Sequence, residues 1–341
     1  MKRITLFIMV LAICLFWSCS EDDTNDNDGS DSITPVYVTV TGHIEDGSYY
    51  AECERYPEFR RKLLEFAEMI YGYEIPFNLQ IDYEYFIGAL NCECPEMMTE
   101  TDGMNSLDYI ANTFDFRIDA HQGGGWEEGS ENYADVRCIG EQVVPSITDN
   151  VGGIVWDQAA QFDRFNFGEA GIRNPSFRWY PEILTMGVHT MHHLGDFSQD
   201  DLTSGIWKPA DFGGEFLVHD PENRMIYIAP GGHHTDWGET HTWPFASVAD
   251  YVEVLADYID NGQAPSGKLY TATIAVPQSV IFDVSEQEKL TEQFDKLQPL
   301  VDEGKVIFAH FREIAEIWQE DFGEEPNIFT FDNIDSTDYR P

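Results

Sequence analysis

The chain has 341 residues, and its 62 Asp and Glu against 19 Lys and Arg give a formal net charge of −43. Such an acidic protein repels phosphates, which excludes nucleic acid as a partner, whereas uncharged sugars and divalent cations stay compatible with it. Aromatic residues make up 14% of the chain. They would suit sugar-binding platforms, but a large aromatic core is the simpler explanation for most of them.

Residues 1–18 are predicted to be a bacterial lipoprotein signal peptide. Lys2 and Arg3 precede an apolar run, residues 4–17, that is too short for a comfortable membrane span. A serine then precedes Cys19, which favours cleavage ahead of Cys19 and acylation of its sulfur. Loss of Lys2 and Arg3 takes the formal charge of the mature chain from −43 to −45.

Residues 19–35 are predicted to be a disordered tether that carries the lipidated Cys19. The stretch 20–35 has six acidic residues, no basic ones and almost nothing apolar. An acidic segment directly after the lipidated cysteine resembles the surface-export signal of some Gram-negative lipoproteins. We therefore expect a protein anchored to the outer membrane by lipid alone and exposed to the outside.

Four cysteines remain after the signal peptide and the lipidation site, namely Cys53, Cys92, Cys94 and Cys138. An even number in an exported protein permits disulfides, and two structural disulfides are expected. Cys92 and Cys94 are separated by one residue and are not expected to pair with each other. The two-residue spacings of a four-cysteine zinc site are absent.

Apolar strand patterns alternate with helical patterns over residues 36–320, which predicts one α/β domain with a parallel sheet, closed or nearly closed. Strands are predicted at 36–43, 77–82, 114–119, 153–156, 225–229, 270–276 and 305–309. Helices are predicted at 57–71, 106–113, 245–259, 285–302 and 311–318. Residues 157–224 are expected to be loops and inserted elements over one face, and residues 321–341 an acidic tail.

Two adjacent carboxylates, Glu45 and Asp46, end the first predicted strand. A β/α barrel places its chemistry at the carboxyl ends of its strands, where one carboxylate can bind a metal while its neighbour moves a proton. Glu-Asp-Gly is also ordinary turn sequence, so a plain turn is the alternative.

In these features the chain resembles the polysaccharide deacetylases. These enzymes have the distorted β/α barrel of carbohydrate esterase family 4 and its relatives. The segments that carry the resemblance are 57–71, 77–82 and 288–314, and it extends over roughly residues 36–320. The fold class that it implies is α/β, a distorted (β/α) barrel of the polysaccharide deacetylase type.

The resemblance implies roles for three residues. Glu45 would be the catalytic base, with Glu replacing the family's usual Asp, and Asp46 a metal ligand. The sequence of residues 117–121 matches the first half of the family's histidine motif, so His121 would be a second ligand. The motif's other histidine is missing, because position 125 is Gly.

Replacement ligands are available in His233 and His234, which follow the predicted strand 225–229. Neutral imidazole and carboxylate suit a divalent metal such as Zn²⁺, which would activate water for attack on an acetyl carbonyl. The pair at 192–193 is better explained as ordinary loop histidines. His310 is a candidate catalytic acid, although the family's acid position corresponds to the end of strand 270–276, which has no His.

The function that these residues favour is a cell-surface hydrolase that removes acetyl groups from a polysaccharide or oligosaccharide. One alternative is a glycosidase on the same barrel that uses two carboxylates such as Glu45 and Asp119 without metal. A second is a glycan-binding lipoprotein that has lost catalysis. The segments 132–135 and 205–209 are either loops facing the site or structural packing.

Overall fold

The computed structural model describes residues 33–45, 47–122, 131–152, 158–185, 203–211, 215–231 and 245–331. From Ile33 onward they belong to one compact unit. The strands are β1 Val36–Ile44, β2 Phe77–Ile81, β3 Arg117–Ala120, β4 Asn150–Gly152, β5 Glu169–Ala170, β6 Arg178–Trp179, β7 Ile183–Thr185, β8 Thr203–Trp207, β9 Ile226–Ile228, β10 Tyr270–Val276, β11 Val306–Phe308 and β12 Asn327–Thr330. The helices are α1 Tyr56–Gly72, α2 Tyr83–Cys92, α3 Pro95–Met98, α4 Ser106–Thr113, α5 Tyr133–Val143, α6 Gln158–Phe167, α7 Val248–Asp260, α8 Gln278–Phe282, α9 Gln287–Asp302 and α10 Phe311–Asp321.

The main sheet runs in the order β10-β1-β2-β3-β4-β7-β9-β8-β12, and β11 pairs with the first residues of β1. Pairing is parallel from β10 through to β9. β8 is antiparallel to both β9 and β12. The strand–helix alternation of the sequence therefore produces the parallel sheet that it predicts.

The sheet is nearly closed into a barrel because β8 lies against β10. The Ser204 hydroxyl donates to the carbonyl of Thr271 at 2.9 Å, and the Gly205 amide donates to Oγ1 of Thr271 at the same distance. The protein is thus a mixed α/β fold with a nearly closed, barrel-shaped sheet.

The two faces of the sheet differ in polarity. Val40 and Leu79 belong to the large apolar core outside the sheet, which includes Phe66 of α1. The alternate residues Thr39, Thr41, Asn78, Gln80 and Asp119 face the interior and are all buried. Because successive side chains of a strand point to opposite faces, the alternation along β1 and β2 gives an apolar outside and a polar lumen.

Helix α10 packs across the amino-terminal end of the barrel. Its buried residues Phe311, Ile314 and Trp318 form a second apolar cluster with Tyr37 near the start of β1 and Ile183 at the start of β7. The opposite end, at the carboxyl ends of the strands, is where the side chains considered below lie.

The structure corrects two expectations. Residues 157–224 are not only loops and inserted elements over one face, because β7 and β8 lie in them and take part in the main sheet. Residues 327–330, within the expected acidic tail, form β12. β4 forms at Asn150–Gly152, and the strand expected at 153–156 lies outside the described part of the chain.

One of the two expected disulfides is present, between Cys53 and Cys92. The expectation of a second is wrong, since Cys94 and Cys138 are both free thiols. Cys94 is exposed and precedes α3, whereas Cys138 is half-buried in α5 and accepts a hydrogen bond from Asn174. None of the helices in the described ranges is long and apolar enough to cross a membrane.

Candidate active site

Three neighbouring parallel strands end in polar residues at one edge of the barrel. Glu45 follows β1, Asp82 follows β2 and His121 follows β3. The Asp82 amide donates to the carbonyl of Ile44 at 3.1 Å, and the His121 amide donates to that of Ile81 at 3.0 Å. This edge, formed by the carboxyl ends of parallel strands, is where barrels of this architecture place their active sites.

Glu45 and His121 are in direct contact. Oε2 of Glu45 lies 2.8 Å from Nε2 of His121, and the two side chains are 15% and 5% exposed. The His43 ring stacks on that of His121 with 5.3 Å between centroids, and its Nε2 lies 3.8 Å from Oε1 of Glu45. A carboxylate and two imidazoles are thus gathered where β1 and β3 end.

A backbone carbonyl fixes the orientation of the His121 ring. Nδ1 lies 2.9 Å from the carbonyl oxygen of Gly152 at the end of β4. A carbonyl can only accept, so Nδ1 carries a proton and Nε2 is directed at Glu45. Position 152 requires glycine, because a Cβ there would lie 2.0 Å from the side-chain amide of Gln80.

The pKa of His121 is raised above its ordinary value. Burial acts to lower this pKa, but the hydrogen bond to the Glu45 carboxylate and its charge act in the other direction and outweigh burial. Glu45 therefore favours the imidazolium form of its partner.

Burial raises the pKa of Asp82 to about 7, against the lowering effects of the Tyr85 amide and of His121. Oδ1 of Asp82 accepts from that amide at 3.0 Å and caps helix α2. A carboxyl group with a pKa of about 7 thus follows β2, the strand between those that carry Glu45 and His121.

The backbone of Glu45 is held from the side of β10. Its amide donates to Oε1 of Gln278 at 3.2 Å, and the Tyr50 hydroxyl donates to the same oxygen at 2.8 Å. Gln278 is the first residue of α8, directly beyond Pro277 at the end of β10.

Several expected site residues lie outside the described part of the chain. They are the proposed ligands Asp46, His233 and His234, the pair at 192–193, and the lipidation site Cys19. Within the described ranges, no group of three or more His, Cys, Asp and Glu side chains could hold a metal ion. The orientation of His121 nevertheless fits a ligand, because metal-binding histidines donate their other ring N–H to a carbonyl or carboxylate in this way.

Asp119 does not join Glu45 as a second catalytic carboxylate. It is fully buried in the lumen, where Oδ1 accepts from the Thr148 hydroxyl and from Asn150. Burial raises its pKa to about 7. A sugar at the barrel mouth cannot reach a side chain with no exposed surface.

The structure does not place His310, the candidate catalytic acid, near Glu45. Its ring is fully buried, with Nε2 3.6 Å from the carboxylate of Asp115, which precedes β3. It therefore lies towards the amino ends of the strands, away from Glu45.

The two loop candidates have structural roles. Asn132 and Asp135 form the capping box of α5, and Asp135 also accepts from the amides of Ile172, Arg173 and Asn174. Residues 205–207 belong to β8.

Asp82, Gly152 and Gln278 were not identified as site residues from the sequence. For Asp82 a signal exists, since it ends a predicted strand as Glu45 does. Gly152 and Gln278 act through a backbone carbonyl and an amide oxygen, and nothing in their local sequence indicates this.

No family model matches the chain, and no curated protein matches it. Among solved structures it is similar to the 4-alpha-glucanotransferase from Thermococcus litoralis, with a TM-score of 0.42 and 12% identity. The match covers 86% of this chain and 41% of that one, so the chain spans about two fifths of the length of that enzyme. A likeness at this level assigns neither an activity nor the role of any residue.

Proposed function

We propose that this protein is a metal-dependent carbohydrate deacetylase, with Glu45 as the general base. The observation that carries the proposal is the contact between Glu45 and His121 at the carboxyl ends of β1 and β3, with Nδ1 of His121 anchored on a carbonyl. A base must lie within hydrogen-bonding reach of the proton that it takes, and this carboxylate is partly exposed at the mouth of the barrel.

In the proposed reaction a water molecule bound beside Glu45 attacks the carbonyl carbon of an acetyl group. Glu45 takes a proton from this water as the new C–O bond forms. Collapse of the tetrahedral intermediate breaks the bond between the acyl carbon and the sugar oxygen or nitrogen, which leaves with a proton. Acetate and a free sugar hydroxyl or amine are the products.

A divalent metal, Zn²⁺ in the first instance, would polarise the acetyl carbonyl and lower the pKa of water. We propose His121, Asp46, His233 and His234 as the residues that hold it. The orientation of His121 supports its part in this set, in which the ring would be neutral and Nε2 would bind the metal in place of its contact with Glu45.

The glycosidase alternative has less support, because its second carboxylate, Asp119, is buried in the lumen. The glycan-binding alternative differs from the proposal in one measurable respect, which is turnover. Both alternatives therefore remain outcomes of the experiment below.

The experiment measures metal content and product release on the purified mature protein, without its signal peptide. Wild type incubated with Zn²⁺ and freed of excess metal should retain it, and His121→Ala and Asp46→Ala should retain less. Acetate release from acetylated xylan and acetylated chitooligosaccharides should fall by at least about a hundredfold in Glu45→Gln. Glu68→Gln, at an exposed position of α1, is the matched control and should behave as wild type.

Each alternative has a distinct signature. New reducing ends without acetate would indicate glycoside cleavage, and glycan binding without any product would indicate a binding protein. Wild type that holds no metal under zinc-replete conditions would contradict the metal-dependent mechanism.

We also propose that the protein is anchored in the outer membrane through a lipid on Cys19 and faces outward. The lipoprotein-like residues 1–19 and the acidic stretch after them support this. Radiolabelled palmitate should be incorporated into wild type but not into Cys19→Ser. Protease added to whole cells should degrade the protein if it faces outward.

A further inference from the structure

The side-chain amide of Gln278 has a fixed orientation. Its Oε1 faces two groups, the backbone amide of Glu45 at 3.2 Å and the hydroxyl of Tyr50 at 2.8 Å. A backbone N–H can only donate, so the atom that faces it must be the oxygen of the Gln278 amide rather than its nitrogen. The assignment of Oε1 and Nε2 therefore follows from chemistry.

The Tyr50 hydroxyl is compatible with this assignment. Burial raises the pKa of Tyr50 well above its ordinary value, so it keeps its proton and can donate to Oε1. With its oxygen occupied by two donors, Gln278 has the two N–H groups of Nε2 left to offer. No described residue accepts a hydrogen bond from them.

Gln278 lies next to the proposed base. It follows β10, which pairs with β1 along seven residues from Val36 to Gly42, and its oxygen holds the backbone of Glu45 itself. Gln278 is partly exposed, and it lies at the end of the barrel that carries Glu45. His121 contacts Glu45 from the opposite side, that of β3.

We propose that Nε2 of Gln278 binds the carbonyl oxygen of the acyl group and stabilises the negative charge that develops on it during attack. The assignment rests on the proposed function and adds a second group to it. An amide donor suits this role because it is neutral, and the carboxylates around it are too weak as bases to deprotonate it. Its orientation is set before substrate arrives, and such preorganised donors carry much of the rate enhancement in acyl transfer.

Three variants separate the donor role from a positioning role. Gln278→Glu keeps an oxygen for the Glu45 amide and Tyr50 but loses the N–H donors. Gln278→Leu loses both functions. Tyr50→Phe removes one bond to Oε1 and leaves the donors in place.

We measure kcat and KM for acetate release from acetylated xylan, at several pH values up to the plateau, with thermal unfolding to confirm folding. The pH series separates loss of the donor from any rise in the Glu45 pKa that a new carboxylate causes. If Gln278 is the donor, kcat falls about 10²–10³-fold in both Gln278 variants, KM changes less than about threefold, and Tyr50→Phe stays within about fivefold of wild type.

Two results would overturn the assignment while the deacetylase survives. One is a Gln278→Glu variant with near wild-type kcat beside an impaired Gln278→Leu, which would make Gln278 a positioning residue. The other is a loss confined to KM, which would mean ground-state binding. A wild-type protein that releases no acetate would instead overturn the proposed function and this assignment with it.

Discussion

Glu45 and His121 form a pair whose protonation is shared, because Oε2 of Glu45 lies 2.8 Å from Nε2 of His121 while Nδ1 donates to the carbonyl of Gly152. With Nδ1 committed to the carbonyl, a proton on Nε2 makes the ring an imidazolium beside a carboxylate. Any change at Glu45 must therefore be felt by the titration of His121.

Glu45→Gln should lower the pKa of His121, since it removes the hydrogen bond and the charge that outweigh burial. In wild type the raised folded-state pKa contributes stability that is fully present below the unfolded pKa of about 6.5 and is lost as pH rises through the folded value. An NMR titration of the His Cε1–H signals, in the presence of a chelator, measures the shift. Glu68→Gln should leave the titration unchanged, and an unaltered His121 in Glu45→Gln would contradict the pairing.

Gly152→Ala should disturb the site through packing. A Cβ at Gly152 would approach the Gln80 amide to 2.0 Å, and Gln80 is buried in the lumen. Overpacking of this kind costs about 1–3 kcal/mol of unfolding free energy, and movement of the Gly152 carbonyl should also lower the activity.

Gly72→Ala is the matched control for that substitution. Gly72 ends α1, and a Cβ at this position would meet no atom within 4 Å, so this change should be neutral or stabilise by up to about 1 kcal/mol. Urea unfolding of both variants checks the difference. Equal stabilities would show that the lumen beside Gly152 is looser than the contact with Gln80 indicates.

The long, strongly patterned elements are the part of the fold that the sequence predicted. Helix α1 has an apolar stripe along its length, and all seven residues of β10 are buried. The three-residue strands β4 and β7 are too short to show a period, and they exist because each pairs with a distant segment.

Some residues of the candidate site could likewise be predicted from the sequence, and others could not. Glu45 and His121 could be brought together by reasoning, because both follow predicted parallel strands. Gln278 and Gly152 could not, because each forms a contact that joins a side chain to a backbone group far from it in sequence. Glu45 is 233 residues from Gln278, and His121 is 31 residues from Gly152. Such contacts follow from the register of the folded sheet rather than from any local pattern.

Asp82→Asn should reduce the fall in unfolding free energy that the wild-type protein shows as pH rises. Burial raises the pKa of Asp82 from 3.8 to about 7 in the folded state, so between these values the folded protein binds more protons than the unfolded one. Its stability therefore falls as pH rises through this window, by on the order of 4 kcal/mol for one such carboxyl.

Asn keeps the cap on α2, because its side-chain oxygen can still accept from the Tyr85 amide. The charges that face Asp82 are those of Glu45, Glu84 and His121, and all three remain in the variant. Urea unfolding at pH 5 and pH 8, in the presence of a chelator, should show a smaller fall in stability for Asp82→Asn than for wild type. Asp295→Asn, at an exposed position of α9, should show the full fall.

Arg60→Ala should be among the most destabilising substitutions outside the site. Arg60 is 2% exposed, and its Nε lies 3.1 Å from the buried carboxylate of Glu93 while its Nη1 bonds Glu100 at 3.0 Å. Its removal leaves the Glu93 charge buried without its cation, at a cost of about 3–5 kcal/mol.

Arg61→Ala is the control one position away, since Arg61 and its partner Glu65 are about half exposed and such pairs contribute less than about 1 kcal/mol. Urea unfolding free energies should separate the two variants by at least about 2 kcal/mol, because the loss depends on burial and not on the removal of an arginine as such. If both variants lost the same small amount, the pair formed by Arg60 and Glu93 would have to be as accessible to water as the surface pair.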